Sequence, residues 1–363
     1  MSEEQLIALF HKEKPSEYTL KSIRLEDEDS RWILSVCFGK ERYVIKIASN
    51  GFTTSQRVNG WVNIIEEYKK MGYYSPAILA SLSGRYAEEG RFNGKDCVIW
   101  EEEYAKYPLR DALDKTVYTG ENGMYVYHDE VLEFLGRIGE KHFSNFPYPS
   151  GWVRLEPFGS DETTDEVSQC VETFGELVKE KTPDFLPRWE HVRSLFEENK
   201  RKLAEIYGNL PTSVFQADEA GNNLVLNESG HFLGVIDYNL AGKDVVINRF
   251  FSEILFGYSY HRKETENPKL LPGLNPETQE SVIEILLNSL RKLRKYYTFS
   301  EAEVRAAPYL FKYISCVEYR QIEALENYSD DPEMLRQLFD FIEWELKRED
   351  IDFREAMLSE NGI

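Results

Sequence analysis

The chain has 363 residues, 42% hydrophobic and 13% aromatic, with 22 Tyr and 21 Phe, which is ample material for a core and excludes a disordered chain. Its 43 basic against 64 acidic residues give a formal net charge of -21, which argues against binding a phosphate backbone and leaves nucleic acid an unexpected partner, while the acidity would suit a cationic small substrate and solubility alike. The opening "MSEEQLIALFHKEK" has acids where a signal peptide needs bases, and no apolar run approaches the roughly 20 residues that cross a bilayer, so a cytoplasmic protein off the membrane is expected.

From Tyr18 to Trp100 the pattern is mostly of period two, with hairpin signals at "FGKE" (Phe38 to Glu41) and "NGKD" (Asn93 to Asp96). The runs "WILSVCF" and "YVIKIA" pair across the first turn, and "DCVIW" forms the return strand of the second. One helix interrupts this sheet, Gln56 to Met71, with Val58, Trp61, Val62, Ile65 and Tyr68 at helical spacing and Gly72 and Pro76 beyond its end. Cys37, Cys97, Cys170 and Cys316 are scattered without metal-ligand spacing and read as core thiols.

After Trp100 the character turns helical. Asp161 precedes a stripe of Val167, Val171, Phe174 and Val178; Asn275-Pro276 opens a helix carrying Val282, Leu286, Leu290 and Leu293; Ser300 with Glu303 makes a capping box; Asp331-Pro332 is a cap with proline at the first helical position. No repeat of fixed period is present. Inside this helical half lies one strong hairpin, "NLVLN" and "FLGVIDY" around the turn "ESGH". It puts Asp218 and Asn223 in the loop entering the first strand and Asp237 at the exit of the second, so three polar groups can meet at one end. Magnesium takes one or two hard oxygen ligands from protein and the rest from water and phosphates, a role open to Asn223 and Asp237, which leaves Asp218 to accept a proton from a hydroxyl.

Asp218, Asn223 five residues later and "GVIDY" ending in Asp237 resemble the motif of the aminoglycoside phosphotransferase and choline kinase family, usually H-G-D-x-H-x-G-N followed by I-D-W or I-D-Y. "LGRIGEKH" (Leu135 to His142) is similar to the family's helix ending in His, and "AGKD" with "VVIN" (Ala241 to Asn248) to its A-G-x-G-D-P-x-x-D, one residue short. The resemblance implies an α+β, two-lobed protein-kinase-like fold: a small antiparallel sheet lobe with one helix at 1–100, a hinge at 101–105, and a larger, mainly helical lobe at 106–363 that carries the catalytic hairpin 214–239. It implies a small-molecule O-phosphotransferase using Mg2+ and ATP or GTP, with Asp218 as base, Asn223 and Asp237 on the metal, Lys46 on the phosphates, and the backbone at Glu101 and Glu103 meeting the base.

Departures from the family's run keep a second function open. Gln216, Ala217, Ala220 and Asn222 stand where the family has His, Gly, His and Gly, Asn248 stands where it has Asp, and the helix acid expected to pair with Lys46 falls near Gly60 or Trp61, neither of which can pair, with Glu66 or Glu67 as substitutes only if the helix is shifted. The alternative is a nucleotide-binding or regulatory scaffold without turnover. Four consecutive acids in "LEDEDS" fall at the turn that covers the phosphates in this fold, where a solvent-facing turn is expected. The acceptor is a small molecule, a cationic one being a candidate, with Glu219, Glu253, Glu318, Glu323, Tyr258, Tyr260, Tyr319 and Trp344 as residues that could meet it; the oligomeric state is open.

Overall fold

The computed structural model describes the chain apart from residues 27, 122–123, 154, 156–163, 219–220, 258–266, 268 and 359–363. Glu219, Ala220, Tyr258, Tyr260 and Asp161 therefore lie outside the described residues. Packing groups the chain into two compact units, one of Met1–Thr119 with Asp218–Ala241 and one of Gly120–Ala217 with Gly242–Ile363. These differ from the expected division at 1–100, 101–105 and 106–363. The difference comes from the late hairpin, whose backbone is tied to the first unit.

The first unit is an antiparallel sheet. Its strands are β1 (Glu17–Leu25), β2 (Asp29–Phe38), β3 (Glu41–Asn50), β4 (Ile78–Leu79), β5 (Glu88–Phe92) and β6 (Lys95–Glu103), in the order β1-β2-β3-β6-β4 with β5 also on β6. Both expected hairpins form: Phe38 pairs Glu41 and Phe92 pairs Lys95. Asn93 and Gly94 both have positive φ, 47° and 81°, the conformation that a two-residue turn needs to match strand twist.

Period two then divides β2 and β3 into two faces. Trp32, Leu34, Val36, Ile45 and Ile47 point one way and form a core with Ile99 and Phe92. That face is covered by α1 (Glu3–Ile7), whose Leu6 and Ile7, with Phe10 just beyond, join the core. A capping box, with Ser2 accepting from the Gln5 amide and Gln5 closing back on the Ser2 amide, starts that helix. The opposite face carries Ile33, Lys46 and Trp100, aligned by the pairs Ile33 with Lys46 and Lys46 with Trp100. The expected helix is α2 (Ser55–Lys70). Thr54 accepts from the Arg57 amide at its start, and beyond its end Gly72 has φ 92°. Its Trp61 meets Trp100 edge to face at 5.6 Å.

The late hairpin pairs Leu224–Leu226 with Phe232–Val235. The chain leaving α2 docks along its second strand: the Tyr74 amide donates to the Leu233 carbonyl at 2.8 Å and the Val235 amide to the Tyr74 carbonyl at 3.2 Å. Gly234 permits this, since a Cβ there would lie 1.8 Å from the Tyr74 carbonyl oxygen. Ser75 adds hydrogen bonds to the Val235 carbonyl at 2.8 Å and the Tyr238 hydroxyl at 2.9 Å.

The second unit is mainly helical, as expected. Its helices bury one stripe each: Val131, Leu135 and Ile138 in His128–Lys141; Val167, Val171, Phe174 and Val178 in Glu166–Lys181; Val282, Leu286, Leu290 and Leu293 in Pro276–Leu293. Asp165 caps the second of these, four residues after the expected Asp161. Asn275, Ser300 and Asp331 cap their helices as the sequence indicates. A short antiparallel pair, Thr212–Phe215 with Gly242–Val245, brackets the point where the late hairpin leaves and re-enters this unit.

Candidate active site

The site is built from the Lys46 face of the sheet and from the two ends of the late hairpin, all within the first unit. Lys46 Nζ lies 3.1 Å from Asp237 Oδ1, a residue 191 positions away, and 3.1 Å from Glu102 Oε1. Its side chain is 12% exposed. Burial alone pulls the lysine pKa down, and the carboxylates of Asp237 and Glu102 outweigh it and hold the pKa above the ordinary lysine value. Lys46, Trp100, Asp237, Asn239, Arg31 and Ile33 line one pocket.

Asp237 has φ 61°. A left-handed conformation at a non-glycine residue costs free energy, is best tolerated by Asp and Asn, and concentrates at functional sites. It turns the carboxylate back at the strand exit, where the side chain remains 34% exposed. Beside it, the Ile236 amide donates to the Asn223 carbonyl at 3.0 Å, so the entry loop and the exit of the hairpin are joined. Asn223 is buried, and its Nδ2 donates to the Asp218 carbonyl at 2.9 Å. That bond fixes which way the amide points and leaves Oδ1 as the atom to meet a cation. Asp218 is half-buried and directly follows Ala217, whose φ of 71° lies at the position where the family has glycine. In the second unit, Arg249 Nη1 donates to the Ala217 carbonyl at 3.1 Å.

A hard divalent cation fits this donor set. Asp237 and Asn223 offer a carboxylate and an oriented amide oxygen, and Asn239, on the same pocket, has a buried Oδ1 without a hydrogen-bond partner. Such oxygens suit Mg2+ better than a soft metal. Among the described residues no group of three or more His, Cys, Asp or Glu forms a metal cluster.

Three successive glutamates at the end of β6 meet three different surroundings. Glu101 points to the covered face, is buried, and bonds His11 Nε2 at 2.6 Å; burial raises its pKa and the His11 contact lowers it, burial prevailing. Glu102 points to the Lys46 face and accepts from the Trp100 indole N–H at 2.8 Å. Glu103 accepts from the Ala77 amide at 3.1 Å and gives its own amide to the Ala77 carbonyl at 2.9 Å. The Glu103 amide is thus already engaged.

Two acids of the acidic turn, Glu26 and Asp29, are paired locally. Arg24 bonds Glu26 at 2.8 Å, and Arg31 grips Asp29 with two bonds of 2.8 and 2.7 Å. Lys95 Nζ reaches the Glu26 carbonyl and Ser30 Oγ. Asn248 donates its amide to Asp244 at 3.0 and 3.2 Å, where an Asp would repel, while its buried Oδ1 has no hydrogen-bond partner among the described residues.

Several residues expected to greet the acceptor have partners of their own in the second unit. Glu253 pairs with Arg249 at 3.6 Å and Glu318 with Arg320, while Arg348 covers the Trp344 ring at 4.6 Å. Glu323 and Tyr319 are exposed. Sequence reasoning missed Glu102 and Asn239. Alternation along β6 could have assigned Glu102 to the Lys46 face; for Asn239, two residues past Asp237, no comparable signal exists.

The fold, an antiparallel sheet lobe followed by a mostly helical lobe, is like that of solved small-molecule kinases. Two solved structures carry this likeness over almost the whole length. An amicoumacin kinase in complex with AMP-PNP and Ca2+ is 14% identical, covers 97% of each chain and has a TM-score of 0.53. A microcompartment-associated aminopropanol kinase is 13% identical, covers 94% of each chain and has a TM-score of 0.51. No family model matches the sequence, and no curated protein does. Among the described residues no helix is long and apolar enough to cross a membrane.

Proposed function

We propose that the protein is a small-molecule kinase that transfers the terminal phosphate of ATP or GTP to a substrate hydroxyl. The observation that carries this reading is the Lys46 to Asp237 pair at 3.1 Å, formed across 191 residues, with Asp237 held in a left-handed conformation beside Asn223. Lys46 presents its charge to nucleotide phosphates. Asn223 and Asp237 hold Mg2+, which when bound neutralises charge on the phosphates and orients them. Asp218 orients the acceptor hydroxyl and takes its proton as the oxygen attacks the terminal phosphorus, while the bond from that phosphorus to the nucleoside diphosphate breaks and the diphosphate leaves. The base meets the chain at the end of β6, at the Glu101 to Glu103 backbone.

The acceptor we favour is an amine-bearing alcohol. Two of the structural neighbours are named for amicoumacin and aminopropanol, and the net charge of -21 favours a cationic substrate over an anionic one. ADP release from ATP across a panel of amino alcohols and hydroxylated amines tests the proposal, with Asp218→Asn as control. Turnover on at least one panel member, reduced at least about hundredfold in the variant, supports it, general bases contributing of order 10²–10⁴. Nucleotide binding without turnover on any acceptor favours the scaffold alternative, for which Gln216 in place of the family's His speaks.

A further inference from the structure

The structure assigns Glu102 as the positioning residue for Lys46, in the place that the helix acid would otherwise take; the assignment rests on the proposed nucleotide site. The α2 position expected to supply an acid is occupied by Trp61, 1% exposed and packed edge-on against Trp100 at 5.6 Å. Trp61 fills that place, and the α2 acids Glu66 and Glu67 pair instead with Lys69 and Lys70. The carboxylate arrives instead along the sheet: Lys46 pairs with Trp100 across β3 and β6, and Glu102, two residues on, faces the same side.

Glu102 is itself braced. Its Oε1 accepts from the Trp100 indole N–H at 2.8 Å and contacts Lys46 Nζ at 3.1 Å, and its side chain is 12% exposed, like that of Lys46. The resulting chain runs Trp61, Trp100, Glu102, Lys46, Asp237. Each link is a ring contact or a hydrogen bond. A flexible four-carbon lysine stem loses rotamer freedom when it must hold one geometry, and a carboxylate fixed by an indole and a strand supplies that restraint before nucleotide arrives. Asp237, also 3.1 Å away, cannot serve both as restraint and as metal ligand to the same degree. Glu102 is the partner that remains when Asp237 turns to a cation.

Titration calorimetry with AMP-PNP in magnesium, on the full chain, tests the assignment through a double-mutant cycle of Glu102→Ala and Lys46→Ala. Glu102→Ala is expected to weaken binding about tenfold, and the double variant to bind no worse than Lys46→Ala alone, because residues that act through one contact do not add. Glu102→Gln, which keeps an accepting oxygen at the same reach, restores part of the loss. Trp100→Phe keeps a ring against Trp61, removes the brace, and costs about threefold, a smaller share of the same coupling. Thermal melting of each variant separates this from unfolding.

Additive losses in the double variant would overturn the assignment, since Glu102 would then act without Lys46. Equal or tighter binding by Glu102→Ala would do so too, by showing only a negative charge that repels phosphate. A wild-type chain that binds no AMP-PNP would overturn the nucleotide site and the assignment together, whereas binding with an additive cycle overturns the assignment alone.

Discussion

Lys46 in the sheet unit and Glu345 in the helical unit are both charged groups drawn largely out of water, and their surroundings differ in what they leave open. Glu345 is fully buried and accepts from Gln279 at 3.0 Å and Ser315 at 3.2 Å, with Arg348 3.9 Å away. Arg348 is itself enclosed, bonded to Asp350 and Glu280. Lys46 faces a pocket, and its partner Asp237 is 34% exposed on a strained turn. A closed polar cluster fixes how helices pack; an open one, with strain at its exposed member, can exchange a partner for a ligand.

The contrast breaks first in stability. Removing Arg348 strands the buried Glu345 carboxylate, so at pH 8, where Glu345 is ionised, Arg348→Ala is expected to destabilise the protein by about 3–5 kcal/mol, with AMP-PNP affinity of the folded fraction unchanged. Chemical denaturation and calorimetry on the same preparation check both halves. Loss of affinity without loss of stability would put Arg348 in the site.

The pH dependence sharpens it. Burial pushes the Glu345 carboxyl from 4.5 up to about 7. The folded state therefore binds the proton more tightly than the unfolded one, so the Glu345 contribution is fully present below about pH 4.5 and is lost as pH rises through about 7, up to about 3 kcal/mol in all. Unfolding of the wild type measured against Glu345→Gln from pH 5 to 8 should show the difference between them shift in favour of the variant as pH rises. Lys46 follows the same sign in a higher window: its raised pKa stabilises below about 10.5 and is lost only at higher pH, so the Lys46 contribution is flat from about pH 5 to 8.

The smallest expected effect concerns backbone alone. Ala217 at φ 71° pays the left-handed penalty of roughly 1–2 kcal/mol that glycine avoids. Ala217→Gly should raise stability by about 1 kcal/mol, net of the chain entropy that glycine adds to the unfolded state. No gain in a denaturant titration would mean that the packing of the buried methyl group already offsets the strain.

Much of the first unit was legible because short-range rules govern it. The turns at Gly39 and Asn93-Gly94, the α2 stripe and the run ending in Asp237 follow from period and turn chemistry. So does the placement of Lys46, since the register of one hairpin fixes its face. The late hairpin is legible as a hairpin, yet its packing within the sheet unit depends on Tyr74 and Ser75, residues that carry no pattern. Glu101, Glu102 and Glu103 look alike in sequence; strand alternation and the neighbours His11, Lys46 and Ala77 give them separate roles. The covering helix α1 was missed because five residues are too few to register a helical period.

Titration calorimetry of AMP-PNP binding with and without magnesium, on wild type and Asp237→Ala, tests the central claim most directly. Magnesium-dependent binding in the wild type, weakened at least about hundredfold (about 2.7 kcal/mol) in the variant, is the expected result. Binding of neither ATP nor GTP analogues by the wild type, or an Asp237→Ala variant with undiminished magnesium-dependent affinity, would contradict it.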